Sequence, residues 1–206
     1  QSAEVVQIVK SRKLTAFLDM AYPGFGHGIA EDGAVVGKFV AAGVNFFVST
    51  SFSKSFSLYG ERVGALSVVC QSKEEAGRVL SQLKIAIRTN YSNPPTHGAA
   101  VVAAVLNTPA LRQQWEQELG AMRVRIKQMR QALVEGLQAA GIEQDMSFVT
   151  RQIGMFSYSG LSKEQMVRLR SEYGVYGTDT GRMCVAALNS GNIAYVCESI
   201  AKVLAG

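Results

Sequence analysis

The chain has 206 residues, of which 48% are hydrophobic and 18% charged, and its formal net charge is +5. This composition is typical of a globular protein with enough apolar residues for one large or two small cores. Only four prolines and no low-complexity tract argue against a disordered chain, and no apolar run reaches the roughly 20 residues needed to span a bilayer.

The basic residues and the cysteines exclude further classes of protein. The densest basic stretch, Arg123 to Arg130, has helical spacing, so we expect a solvated helix face rather than a nucleic-acid surface. A nucleic-acid binder is an alternative that rests on net charge alone. The cysteines Cys70, Cys184 and Cys197 are odd in number and widely spaced. They predict free, mostly buried thiols, no metal site and a reducing, cytoplasmic location.

Helical and strand patterns alternate through the first half of the chain. Strands are predicted at 14–21, 44–49 and 63–70, and helices at 2–12, 31–42, 73–89 and 98–106. This order predicts an α/β fold with a mainly parallel sheet flanked by helices, in which ligands bind beyond the carboxyl ends of the strands. Asp19 and a Ser-rich loop containing Lys54 both fall at such ends.

The second half opens with the longest predicted helix. Its apolar residues recur every three or four positions from Leu111 to Leu137, and Gly141 ends it. Strands at 153–158 and 183–188 then alternate with helices at 163–173 and 192–204, as in a small α+β unit. The pattern leaves open whether the long helix connects two domains or belongs to one core. We predict part of a large domain at 1–108, a connecting helix at 109–140 and a small C-terminal domain at 141–206.

The most informative motif is Ser51-Phe52-Ser53-Lys54, which Arg62 follows eight residues later. A lysine amine acts as a nucleophile only when it is neutral, and a desolvated site or a cationic neighbour favours that form. Hydroxyl groups and a forked guanidinium are suitable ligands for a phosphate. The motif is therefore typical of an amine nucleophile whose cofactor carries a phosphate.

Five motifs together resemble a known family. They are Asp19-Met20-Ala21-Tyr22, Ser51-Phe52-Ser53-Lys54, Tyr59-Gly60-Glu61-Arg62-Val63-Gly64, Asn90-Tyr91-Ser92-Asn93-Pro94-Pro95 and Gly181-Arg182. In this order, across nearly the whole chain, they resemble the fold-type I pyridoxal phosphate aminotransferases, in the aspartate and aromatic amino acid branch. The resemblance covers only the second half of such an enzyme. It implies the second half of the large-domain sheet, followed by a long helix and a small α+β domain.

The resemblance implies a role in cofactor binding for five residues. Lys54 resembles the lysine that forms a Schiff base with pyridoxal phosphate and then transfers a proton. Asp19 resembles the carboxylate that pairs with the pyridine nitrogen, and Tyr22 the tyrosine that bonds the phenolate oxygen. Ser51 and Arg62 resemble ligands of the phosphate, whereas the neighbouring serine at position 53 either assists them or shapes the loop.

Three further residues resemble parts of the substrate site. Arg182 resembles the arginine that binds the substrate α-carboxylate, and Arg88 the one that reaches a side-chain carboxylate in the neighbouring subunit. Phe156 resembles an aromatic residue lining the pocket. Taken singly, each has an ordinary structural explanation: a strand start, a helix end and a core position. The sequence departs from the family at Pro23 and at 178–180, and neither departure removes a chemical group.

The resemblance implies an aminotransferase that moves an amino group from an aromatic or acidic amino acid to 2-oxoglutarate. The expected partners are these small molecules and a second subunit in a homodimer, with no nucleic acid and no membrane. The family's first half supplies further cofactor contacts that have no counterpart here. We therefore expect exposed apolar surface, association with a second copy or a complementary fragment, and little turnover by this chain alone. The alternative is a catalytically incompetent folding or dimerisation module.

Overall fold

The computed structural model describes residues 2–205, which divide into two compact units. The first contains the residues up to Gly24 together with Gly28–Leu119, and the second contains Phe25–His27 and the residues from Gly120 onward. One long helix contributes its first part to the first unit and the rest to the second.

The first unit contains three strands and the helices around them. In chain order its elements are α1 (Ser2–Ser11), β1 (Ala16–Met20), α2 (Ile29–Ala41), β2 (Phe46–Ser51), β3 (Gly64–Val69), α3 (Lys73–Asn90), α4 (His97–Asn107) and the start of α5 (Pro109–Ala139). Each lies within a few residues of its predicted position. The predicted start of α3 is confirmed in detail, because the Ser72 hydroxyl accepts a hydrogen bond from the backbone N–H of Glu75.

The sheet of the first unit is mixed, with strand order β1-β2-β3. β1 and β2 are parallel, with Asp19 opposite Ser49, and α2 connects them. β3 is antiparallel to β2, so the expectation of a mainly parallel sheet holds for only one of the two pairings. The physical reason lies in the connection: a parallel crossover normally needs a helix, and residues 52–63 form a loop that returns the chain alongside β2.

One face of this sheet is buried and the other carries exposed apolar groups. Val6, Phe39, Phe46 and Val48 form a buried cluster between α1, α2 and β2. Elsewhere in the unit, the Phe17 side chain is 59% exposed. An open groove of about 880 Å³ runs along α3, lined by Phe47, Val79, Leu83 and Ala86 among others. The expected exposed apolar surface is thus present in the described part of the chain.

The second unit packs helices on a two-stranded sheet. It comprises the remainder of α5, α6 (Phe148–Arg151), β4 (Phe156–Tyr158), α7 (Lys163–Tyr173), β5 (Arg182–Cys184), a 3₁₀ turn (Val185–Ala187) and α8 (Ile193–Ala205). β4 and β5 are antiparallel. The ends of α7 match the prediction because both are specified locally, by a capping box of Ser162 with Gln165 and by left-handed Gly174.

Three predictions need correction, two for the second unit and one for the cysteines, of which Cys70 lies in the first unit. Both strands are shorter than predicted: β4 begins only after Gly154, whose φ of +85° interrupts an extended chain, and β5 gives way to the 3₁₀ turn. Helix α6 was not predicted. The cysteines are free, but only Cys197 is buried, whereas Cys70 and Cys184 are half-buried.

A search of residues 2–205 finds no helix with both the length and the hydrophobicity required to cross a membrane.

Candidate functional site

Polar side chains of the first unit meet where the parallel strands β1 and β2 end. Asp19 is the penultimate residue of β1, and Ser49 lies opposite it on β2. The Ser49 hydroxyl donates a hydrogen bond of 2.9 Å to Asp19 Oδ1. Ser51 ends β2, and its Oγ accepts a bond of 3.2 Å from the backbone N–H of Ser53. Because parallel strands end on the same edge of the sheet, one carboxylate and two hydroxyl groups converge there.

Lys54 follows β2 by three residues and lies between two tyrosine rings. Its Nζ is 4.9 Å from the centroid of the Tyr22 ring and 5.1 Å from that of Tyr59. The side chain is half-buried. Two aromatic faces attract a cation and also remove part of its water. The amine that is predicted to be a nucleophile therefore lies between two aromatic rings, in the loop that follows the strand beside Asp19.

The loop that carries Lys54 is supported from α5. The Trp115 indole N–H donates a 2.6 Å hydrogen bond to the carbonyl of Ser55, a residue that is only 5% exposed. The Trp115 ring also stacks on Phe56, with centroids 4.5 Å apart, and Phe56 meets Phe52 edge to face at 5.4 Å. The residues on either side of Lys54 are thus fixed by aromatic packing and one hydrogen bond.

Arg62 lies at the far end of the same loop in a left-handed conformation, with φ of +53°. Its Nη1 donates a 2.9 Å bond to the carbonyl of Tyr59, and its guanidinium lies 5.6 Å from the Tyr59 ring centroid. Gly98, at the start of α4, packs against this segment so closely that an added Cβ would lie 3.1 Å from Val63 Cβ. A left-handed backbone costs free energy for residues other than glycine, and residues held in such conformations are often found at functional sites.

In the second unit, Arg182 and Phe156 are brought together. The Arg182 guanidinium lies 5.0 Å from the centroid of the Phe156 ring. The departure from the family motif at 178–180 forms a turn before Arg182, in which Thr178 Oγ1 accepts a bond of 3.1 Å from the Arg182 N–H. Gly181 has φ of +85°, and a Cβ there would lie 3.0 Å from the Leu161 carbonyl. The turn therefore requires glycine and presents an exposed arginine.

Arg88 does not join these clusters. It lies in the last turn of α3, is exposed, and donates a hydrogen bond to the hydroxyl of Ser92. This position has an ordinary structural explanation, because a cation is favoured at the C-terminus of a helix. The structure thus brings Lys54 to Tyr22 and pairs Arg182 with Phe156, and leaves Arg88 on a surface of the first unit.

Sequence reasoning missed three contributors: Ser49, Tyr59 and Trp115. Ser49 falls on a predicted strand, but its register opposite Asp19 is visible only in the structure. Trp115 is one of the apolar residues that recur every three or four positions along α5, and nothing in that spacing indicates a carbonyl partner 60 residues away. Within residues 2–205, no group of three or more His, Cys, Asp or Glu side chains is arranged to hold a metal ion.

Comparison with known proteins gives consistent matches. A family model described as aminotransferase class I and II matches residues 1–200. An aspartate aminotransferase of Pseudomonas aeruginosa is 60% identical over 201 residues, which cover 98% of this chain and 50% of that protein. An aromatic-amino-acid aminotransferase of Escherichia coli (strain K12) is 52% identical, covering 97% of this chain and 50% of its own length.

Solved structures agree. The crystal structure of an aromatic-amino-acid aminotransferase from Burkholderia pseudomallei, covalently bound to pyridoxal phosphate, matches with a TM-score of 0.96 and 64% identity. The match covers 98% of this chain and 51% of that one. The chain spans about half the length of the curated relatives it matches.

Proposed function

The chain belongs to the aminotransferase class I and II family, and from that premise we propose that it carries the lysine and arginine half of a pyridoxal phosphate-dependent aminotransferase. The reaction would move an amino group from an aromatic or acidic amino acid to 2-oxoglutarate. The observation that carries the proposal is the placement of Lys54 between Tyr22 and Tyr59, three residues after β2, whose parallel neighbour β1 has Asp19 as its penultimate residue.

The residues of the first unit fit pyridoxal phosphate as a set. The half-buried Lys54 amine supplies the covalent attachment, and Asp19, oriented by the Ser49 hydroxyl at 2.9 Å, supplies a carboxylate for a protonated ring nitrogen. Ser51 and Arg62 supply a hydroxyl and a guanidinium fork for the phosphate. When bound, this cofactor supplies an electron sink for negative charge at the amino acid Cα.

The residues of this chain would then act as follows. The Lys54 amine takes the proton from the amino acid Cα and returns it later as a general acid. Tyr22 would donate a hydrogen bond to the phenolate oxygen of the cofactor. In the second unit, Arg182 holds the α-carboxylate by two parallel hydrogen bonds, which orients the Cα–H bond, and Phe156 lines the pocket. Arg88 takes the side-chain carboxylate of an acidic substrate in the partner subunit of a homodimer.

The proposal includes the organisation of the longer polypeptide. We infer that this chain corresponds to the second half of such an enzyme, with 1–108 in the cofactor-binding large domain, 109–140 as the connecting helix and 141–206 as the small domain. The free cysteines suit a reducing, cytoplasmic location. Substrate names of the relatives, aspartate in one and aromatic amino acids in another, define the two substrate classes to test.

The first experiment is an absorbance titration of the 206-residue chain with pyridoxal phosphate. We expect a pH-sensitive imine band that Lys54→Ala abolishes and that Lys73→Ala, an exposed lysine at the start of α3, leaves unchanged. Because Trp115 stacks on Phe56 in the lysine loop, quenching of its fluorescence provides a second readout. An identical band in all three proteins would mean non-specific imine formation.

Turnover is tested in the longer polypeptide. There, Lys54→Ala is expected to abolish transfer from aspartate, glutamate, tyrosine and phenylalanine to 2-oxoglutarate, with the matched Lys73→Ala variant as control. Wild-type-like turnover of the Lys54→Ala variant would overturn the assignment of the nucleophile.

A second candidate function is a catalytically incompetent folding and dimerisation module. It is favoured by the open apolar groove along α3 and by the exposed Phe17 and Leu66 of the sheet. Light scattering at micromolar concentration distinguishes the candidates when combined with the titration. A dimer that binds no cofactor supports the module, whereas a lysine-dependent imine band supports the enzyme.

A further inference from the structure

One basic residue of α5 departs from the solvated helix face that is predicted for this stretch: Arg125 and Lys127 are exposed, whereas Arg130 is buried. Arg130 is only 2% exposed and is the largest fully buried side chain in the described chain. Burial lowers the pKa of its guanidinium from the ordinary value, although arginine remains charged in proteins. A buried charge of this kind is retained only where its donors are used.

Three of the four acceptors of Arg130 lie at or just before β4, and the fourth, the Val149 carbonyl, lies in α6. Nη1 donates to the carbonyl of Val149 at 3.1 Å and to the hydroxyl of Ser157 at 3.0 Å. Nη2 donates to the carbonyls of Gly154 at 2.9 Å and of Phe156 at 2.5 Å. The guanidinium group therefore binds backbone carbonyls just before β4 and at its first residue.

The Arg130 contacts matter because they hold the start of β4, whereas the Gln152 side chain holds its end through Ser157 and Tyr158. The strand β4 is three residues long and pairs only with β5, itself three residues long, and isolated two-stranded sheets are marginal. The pairing sets Phe156 opposite Cys184 and Tyr158 opposite Arg182. A small rotation of the β4 backbone would carry the Phe156 ring away from the Arg182 guanidinium, 5.0 Å from its centroid.

A second arginine of the same helix anchors the chain that follows β5. Arg125 donates to the carbonyls of Ala186 at 2.5 Å and Leu188 at 2.8 Å. Both strands of the small sheet are thus tied to α5 through guanidinium groups, one at the start of β4 and one beyond the end of β5.

We propose that Arg130 is a positioning residue for carboxylate recognition: it fixes the β4 backbone so that the Phe156 ring supports Arg182 in the orientation that receives a substrate carboxylate. The inference rests on the proposed function for the role of Arg182, but not for the geometry. Arg130 touches neither substrate nor cofactor and acts through Phe156. Lysine cannot replace it, since a single ammonium group cannot reproduce the planar fork on four acceptors.

The test in the 206-residue chain is nuclear magnetic resonance of arginine side chains. The Nε–H resonance of Arg182, assigned by its loss in Arg182→Lys, carries a ring-current shift from Phe156. We expect Arg130→Lys to move this resonance toward the position of a solvated arginine. The matched control Arg112→Lys, an exposed arginine of the same helix paired with Glu116, leaves it in place.

A purely structural role for Arg130 would lower thermal stability and leave the Arg182 resonance of the folded protein unmoved, which would overturn the proposal. If Arg130→Lys does not fold, Ser157→Ala removes one acceptor of Arg130 together with the bond that the Ser157 hydroxyl donates to Gln152 Oε1. It is expected to move the same resonance by a smaller amount in the same direction. A folded Ser157→Ala protein with an unmoved resonance would then overturn it. Neither readout requires a cofactor, so both remain decisive if the aminotransferase assignment fails.

Kinetics of the longer enzyme give the functional arm. We expect Arg130→Lys to raise KM for the amino acid about tenfold, the cost of one weakened charge-assisted hydrogen bond to the carboxylate, with little change in kcat. Arg112→Lys changes neither constant. An unchanged KM in Arg130→Lys would refute a role in carboxylate recognition, and absence of turnover in the unmutated enzyme would refute the proposed function instead.

Discussion

The hydrogen bond from Trp115 to the lysine loop offers a direct test of how that loop is held. In Trp115→Phe the stacking on Phe56 can persist, but the Ser55 carbonyl loses its 2.6 Å donor. Ser55 is 5% exposed, so water replaces the indole poorly, and leaving a buried acceptor unpaired costs about 1–3 kcal/mol. We take about 2 kcal/mol as the expected loss in free energy of unfolding.

This loss converts into a measurable shift. For a chain of this size, each kcal/mol lowers Tm by about 2–4 °C, so Trp115→Phe should melt about 4–8 °C lower. Circular dichroism is the suitable probe because the substitution removes the only tryptophan. Hydrogen exchange at the amides of residues 55–57 should accelerate as well, since the loop loses its anchor.

Tyr91→Phe is the matched control, because it also removes a hydrogen-bonding group from an aromatic side chain but at a position that is 52% exposed. It should change stability by no more than about 0.5 kcal/mol. If Trp115→Phe behaved like this control in both melting and exchange, the indole would not be what holds the loop, and the reasoning from burial would be refuted.

Three further predictions concern the second unit. A Cβ at Gly136 would lie 2.5 Å from Cys197 Sγ. Gly136→Ala should therefore lower the free energy of unfolding by about 1–3 kcal/mol through overpacking, against a gain of about 1 kcal/mol in helix propensity. In a Cys197→Ala background, denaturant titration should find the same substitution neutral or stabilising. Burial raises the pKa of the Cys197 thiol, so in the native protein Cys197 should react with a thiol reagent more slowly than the two half-buried cysteines. Equal rates of modification of the three cysteines, measured by mass spectrometry, would contradict the burial of Cys197. The Ser147 N–H bond at 2.8 Å lowers the pKa of Asp145. The folded state therefore binds fewer protons than the unfolded state near these pKa values. This contribution to stability is complete above the pKa of the unfolded state, near 4, and is lost as pH falls through the pKa of the folded state. Asp145→Asn should flatten that part of the curve of stability against pH, and an unchanged curve would count against the hydrogen bond.

The sequence by itself determined those features that depend on near neighbours. The capping box at Ser162 and the glycine at position 174 specify both ends of α7 within one turn of helix, and apolar spacing specifies the length of α5. The family motifs likewise consist of contiguous residues, so the lysine and its loop can be found before any fold is known. Their roles stay predictions, since motif matching carries no geometry.

Only the tertiary structure decided the features that join distant parts of the chain. The antiparallel course of β3, the bond from Trp115 to Ser55 and the pairing of Ser49 with Asp19 each depend on which strand or helix lies beside another. Arg130 shows the limit most clearly. The basic stretch that contains it predicts a solvated helix face, yet Arg130 is buried, and its acceptors lie 19 to 27 residues away. Periodicity reports which side of a helix a residue occupies, whereas burial of a charge depends on whether the rest of the fold brings carbonyl groups to meet it.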